Sequence, residues 1–334
     1  MRHHWVGFCF FLNPVSPCHL EIMSDFKVEP DLPIDANGVI YHLACKRADL
    51  SDRILLVGDP GRVPVVAAHF DANSITFDGT HREIRIMTGA FHGRRVTVLS
   101  TGMGTDNVEI VINEIHALFE LNTATMKWAD QPADVVMIRV GTCGSPLAGV
   151  IPGTLAITKH ALGMDNTCRY YVDHSGLGKS LRDEAMKTPL GGIGVYGSQA
   201  HPAVTAAIDA AAARVAPSRP RVIGATASGS GFYGCQGRVV GRFANHVAIP
   251  NLVDVLGSIR FDDGEGAAHG RVVNIEMENS AICCLSSILG YRAGTVCVIV
   301  AARTGETRSF IDPSEAKVAI EQAIDVGLEA LVSL

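Results

Sequence analysis

The chain has 334 residues, 47% of them hydrophobic and 19% charged, with a formal net charge of -6. Length and apolar content allow one large core or two. The acidic balance leaves no basic patch for nucleic acid, and no apolar run reaches the roughly 18 residues of a membrane helix. Nine cysteines, odd in number and without a CxxC pair, fit a reducing compartment, and the thirteen histidines include no HExxH metal spacing. Partners are therefore expected to be small molecules or further copies of the chain.

Residues 1–22, MRHHWVGFCFFLNPVSPCHLEI, hold an apolar core of about eight residues, short for a secretion signal and without a small-residue cleavage site. They read as a mobile extension or alternative start, with one domain over residues 23–334 in the cytoplasm. Residues 41–52 are a polar lead-in. RILLVG, at 53–58, reads as the first buried strand. Its turn, Gly58-Asp59-Pro60-Gly61-Arg62, brings backbone close to whatever lies there, and Arg62 opens a helix to about His69. Residues 75–101 alternate as two strands about a His92-Gly93 turn, with Arg82 and Glu83 near their start. STGMG, at 100–104, then enters a helix with apolar residues at 108, 111, 112 and 115; alone it is a weak phosphate or ribose signal.

The organising stretch is 135–145, VVMIRVGTCGS. It reads as a strand buried on both faces that ends in a Gly/Thr/Gly turn. Arg139 stands inside it, and a guanidinium is almost never buried without a partner. That partner is either a protein carboxylate or an anion, and Gly141, Thr142 and Gly144 favour the anion because ligands bind beyond the carboxyl ends of strands.

A short strand is expected at 153–158 and loops over 163–200. HSGLGKS, at 174–180, imitates a P-loop but has Asp173 where the first glycine belongs. Residues 202–215 read as an alanine-rich helix and 221–228 as a strand. A strand over 271–278 places Glu276 and Glu278 on one side under the period of two, suited to accepting hydrogen bonds in a cleft. A helix from about Ser280 to Leu289, a strand over 294–302 ending at Arg303 and a helix over 314–334 complete the chain. No repeat or linker divides it. The residues alone define an anion-binding α/β protein with a carboxylate-lined cleft.

Several stretches together resemble the uridine phosphorylases of the nucleoside phosphorylase-I superfamily: YHL at 41–43, GDPxRV at 58–63, HRE at 81–83, STGMG, RVGT at 139–142, FYxxQGR at 232–238, NIEMENSA at 274–281 and Arg303. FYxxQGR separates the pyrimidine members from the purine ones. The resemblance implies a single α/β domain of the phosphorylase/hydrolase-like kind, with a central twisted mixed β-sheet, partly barrel-like, flanked by helices. It implies phosphorolysis of uridine, with deoxyuridine a further candidate, to uracil and ribose 1-phosphate in pyrimidine salvage. Inorganic phosphate is the co-substrate, and no organic cofactor is implied.

The implied phosphate site is Gly58, Arg62, Arg139 and Thr142, completed by Arg82 of a second subunit. Glu278 and the Met277 backbone would hold the ribose 2′ and 3′ hydroxyls, with Glu276 also in the nucleoside site; His42 of the second subunit would reach the 5′ hydroxyl, and Phe232 would pack on the nucleoside. Gln236 and Arg238 would read the base, with Arg303 behind them. A glutamine amide matches uracil N3–H and O2, and an arginine suits O4 but opposes cytosine's amino group. Chemistry is expected from Arg139, Gln236, Arg238 and Glu278.

The resemblance also implies a homodimer with shared active sites and a structural cation at its interface, held through Glu83. Thr105-Asp106-Asn107 departs from the family's usual small residue and serine, which touches that cation site. The insertion-like segment 121–133, with Trp128, favours a dimer over a ring of three dimers. Cys143 and Cys235 read as small buried hydrophobes. The competing readings are a purine nucleoside phosphorylase or a nucleosidase on the same fold, and a non-catalytic nucleoside-binding protein.

Overall fold

The computed structural model describes residues 32–264, 269–304 and 308–334. The N-terminal extension assigned to residues 1–22 lies outside them. The first part of the chain forms β1 (Arg53–Val57), α1 (Arg62–Ala67), β2 (Phe77–His81), β3 (Ile84–Phe91), β4 (Arg94–Ser100) and α2 (Thr105–Glu120). A two-strand hairpin, β5 (Leu121–Asn122) and β6 (Lys127–Trp128), leads into β7 (Val136–Ser145) and β8 (Leu155–Gly163). Next come α3 (Lys179–Met186), β9 (Tyr196–Gln199), α4 (Pro202–Val215), β10 (Arg221–Ser228) and α5 (Leu252–Ser258). The chain closes with β11 (Val272–Glu276), α6 (Asn279–Leu289), β12 (Arg292–Ala302), β13 (Ser309–Phe310) and α7 (Pro313–Val332).

All strands except the β5–β6 hairpin join one mixed sheet. Strands β7, β12, β8, β10 and β11 pair in a ring, because β7 bonds both β12 and β11 and so closes a five-stranded barrel. From β7 the sheet continues through β1, β4, β3 and β2 as an open wing. Two apolar layers cover it. Leu55, Val57, Val136, Ile138 and Val140 pack with residues of α4 and α7, while Ile54, Leu56 and Met137 pack with residues of α2 and α6. Period-two alternation therefore turns Arg139 toward the α2/α6 side, the same side as Met137.

The structure extends or corrects several expected elements. Strand β7 runs on through Gly141 and Gly144 instead of turning there, because Gly141, Thr142 and Cys143 pair with β12 to close the barrel. Residues 75–101 form three strands, with Arg82 at φ +53° in the β2–β3 turn. Strand β8 is longer than the short strand expected, and the glycine-rich stretch 163–200 contains α3 and β9. Cys143 is buried, but Cys235 is exposed in a short 3-10 turn. Trp128 of the insertion, half-exposed, stacks on His116 at 4.8 Å. No helix among the described residues is long and apolar enough to cross a membrane.

Candidate active site

The carboxyl ends of β1, β7 and β11 meet at a cavity of about 720 Å³. Arg139, only 4% exposed, forms its floor. Its Nη2 donates to Glu278 Oε2, and its Nη1 lies 3.3 Å from Glu276 Oε2. Nη1 also donates to Cys297 Sγ at 3.2 Å, while Nε is buried without a partner. Of the two readings of Arg139, the structure shows the carboxylate pairing, at the floor of a cavity that also holds Arg62. Burial opposes its charge, but Glu278, Cys297 and Glu276 outweigh burial and raise its pKa above the usual guanidinium range. Gly141 makes the arrangement possible, since a Cβ there would stand 2.1 Å from Arg139 Nη1.

Gly58, Arg62 and Thr142 line the same cavity. Arg62 begins α1; its backbone N–H donates to Asp59 O at 2.9 Å, and its side chain makes no hydrogen bond or ion pair among the described residues. Burial, then the neighbouring Arg139 charge, lower its pKa. Two neighbouring guanidiniums and a Thr142 hydroxyl without a hydrogen-bond partner among the described residues share this corner, an arrangement whose chemistry suits paired, charge-assisted hydrogen bonds to an anion.

Glu278 follows β11 and is 3% exposed. Its Oε1 accepts from Gly104 N at 2.8 Å, while Oε2 takes Arg139. Glu276 lines the same cavity and also has a structural task. Its oxygens accept from Ser228 Oγ, Glu278 N at 2.9 Å and Asn279 N at 3.0 Å, so it ties the first turn of α6 to the sheet. Burial raises the Glu276 pKa; Arg139 opposes this and Glu278 adds to it. Met277, between them, lines the cavity and is partly buried.

The opposite wall is the loop after β10. Phe232, Gln236 and Arg238 line the cavity. Arg238 Nη1 donates to Gln236 Oε1 and to Phe232 O at 2.8 Å, and its guanidinium lies 3.8 Å over the Phe232 ring. Arg303 stands behind these residues, outside the cavity lining, and braces the loop, Nη1 donating to Gln236 O at 2.7 Å. Burial, then Arg238 and Arg308, bring its pKa down to about 10.

His42 and Arg82 do not line this cavity. They stand on the chain's own surface around Tyr41: Arg82 Nη2 donates to Tyr41 OH at 2.8 Å, and the His42 ring packs edge-on to Tyr41 at 4.8 Å with Nδ1 held by Glu114. Glu83 reaches the cavity rim. No three His, Cys, Asp or Glu side chains among the described residues converge on a metal position, and Asp106 Oδ1 takes the Thr167 hydroxyl at 2.6 Å. Among the described residues of one chain, no such cluster forms around Glu83.

Sequence reasoning missed Gly104, Ser228 and Cys297 as partners of the assigned residues. They lie 174, 48 and 158 positions from the groups they hold, so no local pattern marks them.

The phosphorylase superfamily profile matches residues 52–333, and the chain belongs to that family. Its substrates are accordingly a small-molecule nucleoside and phosphate. Uridine phosphorylase of Thermococcus kodakarensis is 32% identical over 302 residues, 90% of each chain. A solved Trypanosoma brucei nucleoside phosphorylase, described as showing uridine phosphorylase activity, is 46% identical with a TM-score of 0.84. That alignment covers 91% of this chain and all of the other. A purine nucleoside phosphorylase of Streptococcus pyogenes is 34% identical, but over only 31% of this chain and 38% of its own.

Proposed function

We propose that the chain catalyses phosphorolysis of uridine to uracil and ribose 1-phosphate in pyrimidine salvage. The observation that carries this reading is one cavity with Arg62, Arg139 and Thr142 at one end, Glu278 beside them and the Gln236–Arg238 pair across from them. Full-length similarity to proteins named for uridine supports it, whereas the Streptococcus pyogenes purine enzyme matches under a third of the chain. Phosphate, held at the arginine corner, attacks ribose C1′ as the bond to uracil N1 breaks, through an oxocarbenium-like state. Glu278 accepts from the ribose hydroxyls. The electron pair of the breaking bond spreads over the uracil carbonyls, where Gln236 and Arg238 stabilise charge that grows only in the transition state.

The same reading makes the working unit a homodimer. Arg82 and His42 do not line their own cavity, which leaves them for a partner's site. A structural cation near Glu83 then needs ligands from that second copy. A cytoplasmic setting is supported by the free state of all seven cysteines among the described residues.

The test is release of free uracil from uridine by the purified chain, with and without inorganic phosphate, and with inosine alongside. Phosphate-dependent release with inosine untouched is expected. Release without phosphate would make the chain a nucleosidase, inosine turnover a purine enzyme, and uridine binding without turnover a sensor.

A further inference from the structure

Glu278 is held by two groups, Arg139 and the N–H of Gly104. Gly104 has φ +91°, a conformation open in practice to glycine alone, and no side chain caps the helix it opens. What fixes that N–H lies further along the chain. Thr167 Oγ1 donates to Asp106 Oδ1 at 2.6 Å and meets Thr105 Oγ1 at 2.8 Å. A carboxylate only accepts, so the Thr167 proton goes to Asp106 and Thr105 donates to Thr167.

Thr167 N in turn donates to Asp165 Oδ1 at 3.0 Å. Ser280 Oγ donates to Asp165 Oδ2 at 2.9 Å, and Tyr196 OH also donates to this carboxylate. Ser280 stands two residues after Glu278. Hydrogen bonds and two short stretches of chain, 104–106 and 278–280, therefore close a ring: Glu278, Gly104, Thr105 and Asp106, Thr167, Asp165, Ser280 and back to Glu278. Thr105, Asp165, Thr167 and Ser280 are all buried, and none of the four lines the cavity. A satisfied buried network of this kind holds one geometry.

We infer that Thr167 is the positioning residue of this ring: it sets the orientation of Glu278 toward the ribose 2′ and 3′ hydroxyls, and with it the preference for ribosides over 2′-deoxyribosides. The inference rests on the proposed role of Glu278. It also gives Asp106, which departs from the family's usual residue, a task within a single chain.

The test compares kcat/KM for uridine and 2′-deoxyuridine in Thr167→Val, which keeps the shape and removes the hydroxyl, and in Thr167→Ser, which restores it. The wild-type chain should favour uridine. Thr167→Val should lower the ratio roughly tenfold, as loss of one aligned hydrogen bond does, while the KM for phosphate stays within about twofold. Thr167→Ser should return the ratio toward wild type. A residue that only held the fold would depress both nucleosides alike, and an unmoved ratio in Thr167→Val would overturn the inference, as would a wild-type ratio near one. Glu278→Gln run alongside separates the two levels. If it leaves the ratio unchanged, the role of Glu278 and the inference fall together; if it lowers the ratio and Thr167→Val does not, the inference alone falls. Should Thr167→Val not fold, Ser280→Ala opens the ring at its other end and carries the same expectation.

Discussion

The two ends of the cavity are built differently. At the phosphate and ribose end the side chains come from β7 and from turns at the ends of β1 and β11, and Arg139 and Glu278 are almost fully buried. At the base end they come from one loop in which Phe232 is 49% exposed, Tyr233 is 61% exposed and Arg238 spends hydrogen bonds on its own neighbours. Arg139 and Glu278 are set before any ligand arrives, because these two charges have exchanged water for fixed partners. The base end has to trade the Arg238–Gln236 contact for uracil. Under the proposed function, the charge assigned to the co-substrate is built into the sheet, while the groups assigned to the base sit in the more exposed loop.

The comparison breaks most sharply at Arg139. Arg139→Ala strands two buried carboxylates, and removing one partner of a buried pair costs about 3 to 5 kcal/mol. A loss of kcat/KM for phosphate of roughly a thousandfold is expected with a lower Tm; steady-state kinetics and thermal melting check both. Arg238→Ala, at the adjustable end, should reduce kcat by about a hundredfold or more while nucleoside affinity is largely kept, since one preorganised donor carries about 3 to 4 kcal/mol of barrier. Single-turnover measurement tests this, and an unchanged rate of chemistry would sink the role. Gly141→Ala pushes a Cβ into Arg139 Nη1 and should raise the KM for phosphate more than that for uridine. Arg303→Ala removes the outer brace, with an expected loss of roughly tenfold in kcat/KM for uridine and little effect on phosphate.

The smallest effect is on stability against pH. Burial raises the folded-state pKa of Glu276. The native chain therefore holds that proton more tightly than the unfolded chain does. Its contribution is fully present below the unfolded carboxylate value of about 4.3, and is lost as pH rises through the raised value. Melting curves should show wild type losing stability relative to Glu276→Gln as pH rises from the unfolded value through the raised one. The opposite slope would mean that the Arg139 pairing dominates instead.

The buried end was also the more legible in sequence. Arg139 stands out because a charge inside a Val/Met/Ile run has to be paired, and α4 and β10 follow their patterns to the residue. Boundaries failed where a residue is present for a distant reason. Gly141 and Gly144 read as a turn, yet they are small because the Arg139 guanidinium and the Arg303 stem occupy the space a Cβ would need. The β2–β3 turn is silent in sequence because Thr80-His81-Arg82-Glu83 contains neither glycine nor proline, and Arg82 takes the left-handed conformation itself. At the base end, FYxxQGR was informative through family resemblance alone. Loop residues carry no periodicity, and Arg303 behind them reads like any strand-end arginine.

The most direct test of the central claim, that the arginine corner delivers phosphate to C1′, is the ratio of ribose 1-phosphate to uracil formed from uridine in inorganic phosphate. One ribose 1-phosphate for each uracil is predicted. Free ribose in its place would mean that water is the nucleophile, and would contradict the assignment of Arg62 and Arg139 as the groups that hold the attacking phosphate.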